Sequence, residues 1–378
     1  TKYQRESYDD FINEWERLDS AGYSLPYTGS EVTISKVLKA KSNLINNKSD
    51  AFIQDEMSFK KPGQYQLKFN AGLRATSISL NEEFLLSPRL QLQFEPLKEG
   101  NNISYKLAWG VYYQSPFYRE FRNENGEINV KLKSQKSTHY VAGLNYDFMW
   151  SRISKKPFKL IGEVFYKKLE NLVSYDVDNV RIAYSGKNDS RGYATGLDLR
   201  VNGEFVPDAE SWVNLSFLRT RESLDGIEHL IRRDSTDIKV QDVPRPTDRL
   251  FNMSMFFQDY LPKNKNFKAN VNFSFATGLP FGRKDENLVY RNIFRYSRYQ
   301  RLDIGFSYLL WDEKEKVKRP NHPLRNTKNA WLSLEVFNIM GISNTASVTW
   351  IKTITNQQFA INNNLTSRRI NLRFRIDF

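Results

Sequence analysis

Arg369-Ile370-Asn371-Leu372-Arg373-Phe374-Arg375-Ile376-Asp377-Phe378, the last stretch of the chain, alternates without a break between polar and large apolar side chains. Neighbouring side chains of an extended strand point to opposite faces. A strand here carries Ile370, Leu372, Phe374, Ile376 and Phe378 on one face and Arg369, Asn371, Arg373, Arg375 and Asp377 on the other.

The pattern recurs upstream. Tyr65, Leu67, Phe69, Ala71 and Leu73 alternate with Gln66, Lys68, Asn70, Gly72 and Arg74, and Leu90, Leu92 and Phe94 alternate with Arg89, Gln91, Gln93 and Glu95. Alternate residues are again apolar across 103–111, 140–150, 197–201, 213–217, 251–257, 267–275, 302–310 and 332–336. With 51–60 and 158–170 these segments make about thirteen strands, each near the ten or so residues that a tilted strand needs to cross a bilayer. The expected fold is all-β, a transmembrane antiparallel β-barrel.

Composition agrees with that expectation. The 378 residues are 40% hydrophobic, 14% aromatic and 26% charged, with a mean hydropathy of −0.61. A membrane barrel turns only every second strand residue to lipid, so its average looks soluble. No apolar run is long enough for a helical span. The chain has no cysteine, which removes disulfides, thiolate nucleophiles and cysteine-based metal sites. Its N-terminus shows no charged-then-apolar signal segment, so an exported protein is expected to have its true beginning upstream. The net charge of +13 raises the question of nucleic acid. Lys and Arg nevertheless cluster at turns, as in Lys60-Lys61, Lys155-Lys156 and Lys314-x-Lys316-x-Lys318-Arg319, without any RNA- or DNA-binding motif. Membrane headgroup phosphates account for such clusters, and nucleic acid is not an expected partner.

Connections alternate in length. Short ones fall at 61–64, 96–102, 151–157, 203–209 and 261–266, and long ones near 115–137, 171–190, 221–248, 278–299 and 339–367. Short periplasmic turns and long extracellular loops give this alternation. The segment 312–329 breaks it, being long and basic with Pro320 and Pro323 on the side of the short turns. Trp150, Trp212, Trp311 and Trp331 fall at that same end and suit an interfacial girdle in depth, although only Trp150 clearly shares the apolar face of its strand. Residues 1–49 do not alternate in this way: Tyr8, Phe11, Ile12 and Trp15 have helical spacing and Gly22 can end the element. The expectation is an extracellular loop with a short helix, followed by barrel over 50–378. An inward final strand and about thirteen strands put the start outside, and bacterial single-chain barrels have an even number of strands. The chain is therefore expected to lack its first strands.

Several stretches carry a family resemblance in order: Ala71-Gly72-Leu73-Arg74, Leu86-Ser87-Pro88-Arg89-Leu90, Gly110-Val111-Tyr112-Tyr113-Gln114-Ser115-Pro116-Phe117-Tyr118, Gly192-Tyr193-Ala194-Thr195-Gly196, Thr277-Gly278-Leu279-Pro280-Phe281-Gly282, Arg301-Leu302-Asp303-Ile304-Gly305 and Glu335-Val336-Phe337-Asn338-Ile339. In this order they resemble the second half of TonB-dependent outer-membrane transporters, particularly of Bacteroidota type. The terminal strand, with Phe374, Ile376 and Phe378, resembles the assembly signal of outer-membrane barrels. The resemblance implies a twenty-two-stranded barrel around a plug domain, with about nine strands and the plug upstream of Thr1. It also implies uptake of a scarce nutrient, outer-membrane residence, and as partners the missing N-terminal part, membrane lipids, the barrel assembly machinery, a TonB-type energy coupler and a surface lipoprotein. A structural or assembly subunit using the same barrel is the alternative function, and a passive porin the third.

No catalytic motif appears, and the only histidines, His139, His229 and His322, lack metal-ligand spacing. Asp176-Val177-Asp178-Asn179 lacks the glycine and distal glutamate of a calcium loop. An enzyme, a cofactor and a metal site are therefore not expected. The candidates for a substrate vestibule are Tyr112, Tyr113, Phe117, Tyr118, Tyr184 and Phe281, aromatics at outer strand ends and in loops. Polar-face candidates for contact with a plug or substrate are Arg74, Arg89, Glu163, Asp198, Arg200, Arg301, Asp303, Arg373 and Arg375.

Overall fold

A computed structural model describes residues 1–17, 34–97, 102–123, 125–179, 181–206, 209–261, 264–282, 288–315, 319, 321–352 and 357–378. Fourteen long strands follow one another as antiparallel neighbours in chain order. They are β1 (Lys2–Arg17), β2 (Ile34–Lys61), β3 (Tyr65–Ile78), β4 (Glu83–Pro96), β5 (Ile103–Gln114), β6 (Gln135–Met149) and β7 (Pro157–Asp178), then β8 (Arg181–Val206), β9 (Ala209–Leu224), β10 (Phe251–Leu261), β11 (Asn264–Ala276), β12 (Tyr299–Asp312), β13 (Asn329–Phe337) and β14 (Arg369–Asp377).

The register joins the alternating apolar sets into one surface. Leu67 pairs with Phe94, Leu92 with Leu107, Leu107 with Ala142 and Ala142 with Val164. The row continues through Val164–Leu197, Leu197–Phe217, Phe217–Phe251 and Met253–Phe275. Ala269–Phe306, Phe306–Leu334 and Leu334–Leu372 carry it to the last strand. A one-residue slip in any strand would move its whole apolar set to the other face, so burial of this face in lipid fixes every register. Many of its side chains are open, Leu107, Val164 and Leu372 among them. The other face carries the charged and amide residues.

At the end of the short turns a belt of rings crosses the apolar face. Tyr146 stacks on Phe148, which stacks on Phe158, and Trp150 and Phe205 meet Phe158 edge-on. Phe158 is fully buried, lying where a side chain on Gly203 would collide with it. Trp212 and Trp331 lie on the polar face instead, over or beside Arg200 and Lys268. Trp311 is buried, stacked on His322 and donating from Nε1 to the Thr327 carbonyl. That packing ties His322 and Thr327, in the connection after β12, to the end of the strand. The turn after β2 closes tightly because Gly63 takes a φ of 71° and Gln64 N–H reaches the Lys61 carbonyl.

Residues 2–17 are a strand and not a helix. Tyr8 and Ile12 share one side of β1, Phe11 and Trp15 the other, so the helically spaced set is divided between both faces of the strand and no period of two announces it. Pairing with the outer part of β2, from Lys2–Asp50 to Arg17–Ile34, satisfies the backbone and decides for the strand. Residues 2–17 and 34–50 thus pair as two strands, and they dock on the connection after β5 through Tyr8 on Tyr118 and Asp10 with Arg122. Gly22 lies outside the described residues. Residues 171–178 and 181–190 are likewise strand, because β7 and β8 continue far beyond the span of a bilayer. Other long connections carry small hairpins, at His229–Arg233 with Thr236–Val240 and at Thr345–Lys352 with Gln358–Asn364. Phe121, Leu132 and Val173 form a small buried core under the outer connections, covered by Leu44, Leu80, Ile128 and Tyr184.

Phe374 pairs with Leu332 on the apolar face, whereas Arg375 lies on the polar face beside Asp377. An arginine on a lipid-facing site costs about 2–4 kcal/mol at mid-bilayer and about 0–1 near an interface. Phe374→Arg in the full-length protein is expected to lower the folded amount in outer membranes well below that of Arg375→Ala. Heat-modifiable gel mobility measures it; equal assembly of the two variants would reverse this facing.

Candidate functional site

The polar face and the long connections hold the groups able to meet a solute or another domain. The register sets all nine polar-face candidates opposite the apolar surface, and most have a partner within the wall. Arg74 holds Asp50 at 2.9 Å, Lys106 holds Glu163 at 2.8 Å, and Arg301 holds Asp303 at 2.7 Å. Arg373 meets Glu335 at 3.1 Å and Arg375 meets Asp377 at 3.0 Å. Arg200 donates to Asn202 and lies over the Trp212 ring. Glu163 and Asp198 are direct cross-strand neighbours, so Lys106 on one and the Ser216 hydroxyl on the other relieve two adjacent negative charges. Such pairing keeps a hydrated wall ordered; exposed pairs of this kind contribute about 0–1 kcal/mol each.

Arg89 differs, because its guanidinium lies 4.6 Å above the Tyr112 ring, and that ring is 4.3 Å from His139. Gly110 makes room, since a Cβ there would come within 3.1 Å of Tyr112 and 3.3 Å of Arg89. The three form a cationic and aromatic column on the polar face, toward the end that carries the long connections.

The six vestibule aromatics separate. Tyr112 belongs to that column, and Tyr113 lies on the opposite, bilayer-facing side beside Lys136. Phe117 is exposed, and Tyr118 stacks on Tyr8 at 5.2 Å with Arg119 donating to its hydroxyl. Tyr184 is paired with Tyr175 at 5.8 Å. Burial and the neighbouring Glu6 carboxylate push the Tyr8 hydroxyl up to about 12, so it stays protonated and able to donate. Burial raises the Glu120 carboxyl against the opposing bonds from Phe117 N–H and Gln135. Phe281 sits in a separate cluster, stacked 4.4 Å from Tyr296 and touching Phe294 and Trp350.

A buried ion network went unread in the sequence. Glu222, almost fully enclosed, accepts from Arg291 at 2.8 Å and Arg245 at 3.2 Å. Arg291 also reaches Asp176 and the Tyr175 carbonyl, so it ties the connection after β11 to β7 and β9. Beside it Asp248, with no exposed surface, accepts Thr220 N–H and pairs with Arg295. His229, equally buried, accepts Leu224 N–H at Nε2, and burial pushes its imidazole down and keeps it neutral. Among the described residues no group of His, Asp or Glu could hold a metal ion.

Comparison with known proteins gives one family match: the family described as TonB dependent receptor-like, beta-barrel, over residues 2–339. No curated protein sequence matches. Solved structures similar to the chain include the copper transporter OprC, at 12% identity and a TM-score of 0.61, where all of this chain covers 53% of that one. A mutant of the ferric enterobactin receptor PfeA from Pseudomonas aeruginosa gives 13% and 0.59, covering 97% of this chain and 49% of that one. The outer membrane transporter YddB of Escherichia coli gives 12% and 0.58, covering 98% and 49%. At such identities the likeness is one of fold, and the chain spans about half the length of these structures.

Removing the acid from the network leaves buried guanidinium charge, which costs about 3–5 kcal/mol when a buried pair is broken. Glu222→Gln is expected to loosen the outer connections without unfolding the wall. Limited proteolysis of the full-length variant in intact membranes should cut within 225–250 at protease levels that spare the parent; an unchanged digestion pattern would show that the network holds nothing in place.

Proposed function

We propose that this chain, which belongs to the TonB-dependent receptor-like β-barrel family, is the C-terminal part of the wall of an outer-membrane importer for a scarce nutrient, driven through a TonB-type coupler. The unbroken apolar face carries the reading, because only a bilayer leaves so many large side chains open on one side of a sheet whose other side is charged. Barrel relatives of the family reside in the outer membrane and act as transporters and receptors, which supports a carrier over an enzyme.

A sheet edge inside lipid needs a hydrogen-bonding partner. Among the described residues β1 and β14 do not pair with each other, which supports a barrel completed by further strands, and the proposal places a plug within it. The paired charges of the polar face supply a hydrated lining for that plug. The long connections then face the medium, with the Arg89–Tyr112–His139 column and the Tyr8–Tyr118 pair at the mouth. The solved ferripyoverdine receptor and FpvAI–pyocin complex support a ligand or protein partner at such a mouth only by likeness of fold.

Deletion of the gene for the full-length protein is expected to slow growth on at least one limiting nutrient in cells with the energy coupler and to add nothing in cells without it. A growth defect of equal size in both backgrounds would contradict coupled uptake and favour a scaffold. Energy-independent solute flux through the purified protein in liposomes would favour a porin.

A further inference from the structure

β7 and β8 outrun the membrane by a long way. Tyr166 belongs to a cross-strand row of rings with Trp109 and Tyr140 on the apolar face, of the kind that marks an interface. Asp178 lies up to about 40 Å farther along a strand rising about 3.4 Å per residue. The tip of this hairpin meets both ends of the sheet. Arg181 pairs with Glu14 of β1 at 3.1 Å, and Asp176 and the Tyr175 carbonyl hold Arg291 in the connection after β11. Asn179 Oδ1 accepts the Ser347 hydroxyl and, at 3.1 Å, Asn363 Nδ2, both in the hairpin after β13. In the sheet β1 lies six places before β7, and β13 lies five places after β8. A barrel wall is convex toward lipid, so groups this far apart along it meet by the short way only across its polar side. The tip therefore crosses the mouth, with one arm over β2–β6 and the other over β9–β12.

The ties are unequal. Arg181 and Glu14 are both exposed, and an exposed pair holds little. Asn179 fixes the far arm. Its φ of 56° lies in the left-handed region, which asparagine tolerates better than most residues other than glycine. That conformation brings its amide oxygen onto Ser347, which is 1% exposed and whose hydroxyl also accepts Asn363 Nδ2 at 3.1 Å. The opposite face of the same hairpin is already seated: Trp350 Nε1 donates to the Gly282 carbonyl at 3.2 Å, and its ring meets Phe281 and Phe294. One face of the hairpin thus rests on the connection after β11, and Asn179 takes the other.

We propose that Asn179 determines the size of solute that enters: by latching the β7–β8 tip to the hairpin after β13, it holds a crossbeam over the mouth that admits small solutes to the polar face and keeps bulky ones out. Its amide is the part that matters, since both donors from the far hairpin end on one oxygen. The inference deepens the importer reading by giving it a size limit, yet it rests only on the barrel, because a scaffold or a porin would carry the same beam.

The test uses full-length protein in outer membranes carrying Ser274→Cys, on the polar face of β11 opposite Arg301. Labelling rates with a small charged maleimide and with a polyethylene-glycol maleimide are compared. The parent is expected to admit the small reagent and resist the bulky one. Asn179→Gly, which keeps the left-handed backbone and loses the acceptor, should speed the bulky reagent about tenfold and leave the small one unchanged. Asn363→Ala removes the latch from its other side and should act alike. Asn179→Asp keeps an oxygen facing Ser347 and Asn363 and should retain the parent ratio, which a general loosening of the tip would not do. An unchanged ratio in an Asn179→Gly protein of normal heat-modifiable mobility would overturn the proposal. So would a cysteine closed to both reagents in every variant, because the limit would then lie below the beam. Neither rate needs a transported solute, so failure of the importer reading would leave this result standing.

Discussion

Backbone hydrogen bonding inside lipid is the constraint from which the rest follows. Hydrocarbon offers no partner to an open N–H or carbonyl, so each strand must be laddered to the next along its whole membrane length. From β1 to β14 the ladder passes only between chain neighbours, which needs no crossover. Once backbone groups are satisfied in this way, side chains are sorted by parity alone. One parity meets lipid, and the other meets water, so the charge and the grease of the same ten residues do not compete.

That sorting is why so much of the wall was legible. The alternation of 65–73, 103–111 and 369–378 appears in the register as one continuous face, because a period of two is written locally in every strand. Outside the bilayer the same rule fails. In 1–17 the large apolar residues have helical spacing and fall on both faces of the strand, and only the partner strand 34–50 settles the matter. Tyr112 and Tyr113 look alike in sequence, yet parity sends one to the polar column and the other to the lipid rim.

The least legible part is the ion network, for a reason of distance along the chain. Glu222 meets Arg291 across 69 residues and Arg291 meets the Tyr175 carbonyl across 116. No local pattern announces either contact. A signal was present in composition, since the 219–249 segment is dense in Arg, Asp and Glu, but such runs are commonly solvated. Burial turns this one into a clasp that fixes the outer connections on long strand extensions. The division of labour is then physical: lipid fixes the wall, and buried charge fixes the mouth.

A wall built in this way requires that odd residues of β5 face hydrocarbon. Single cysteines placed in turn over 105–111 of the full-length protein, spin-labelled in bilayers and probed with oxygen and with a water-soluble nickel chelate, test this directly. A period of two is expected, with labels at Leu107 and Trp109 relaxed by oxygen and those at Lys106, Ala108 and Gly110 not. Uniform accessibility along the strand, or chelate reaching Leu107 as readily as Lys106, would contradict it.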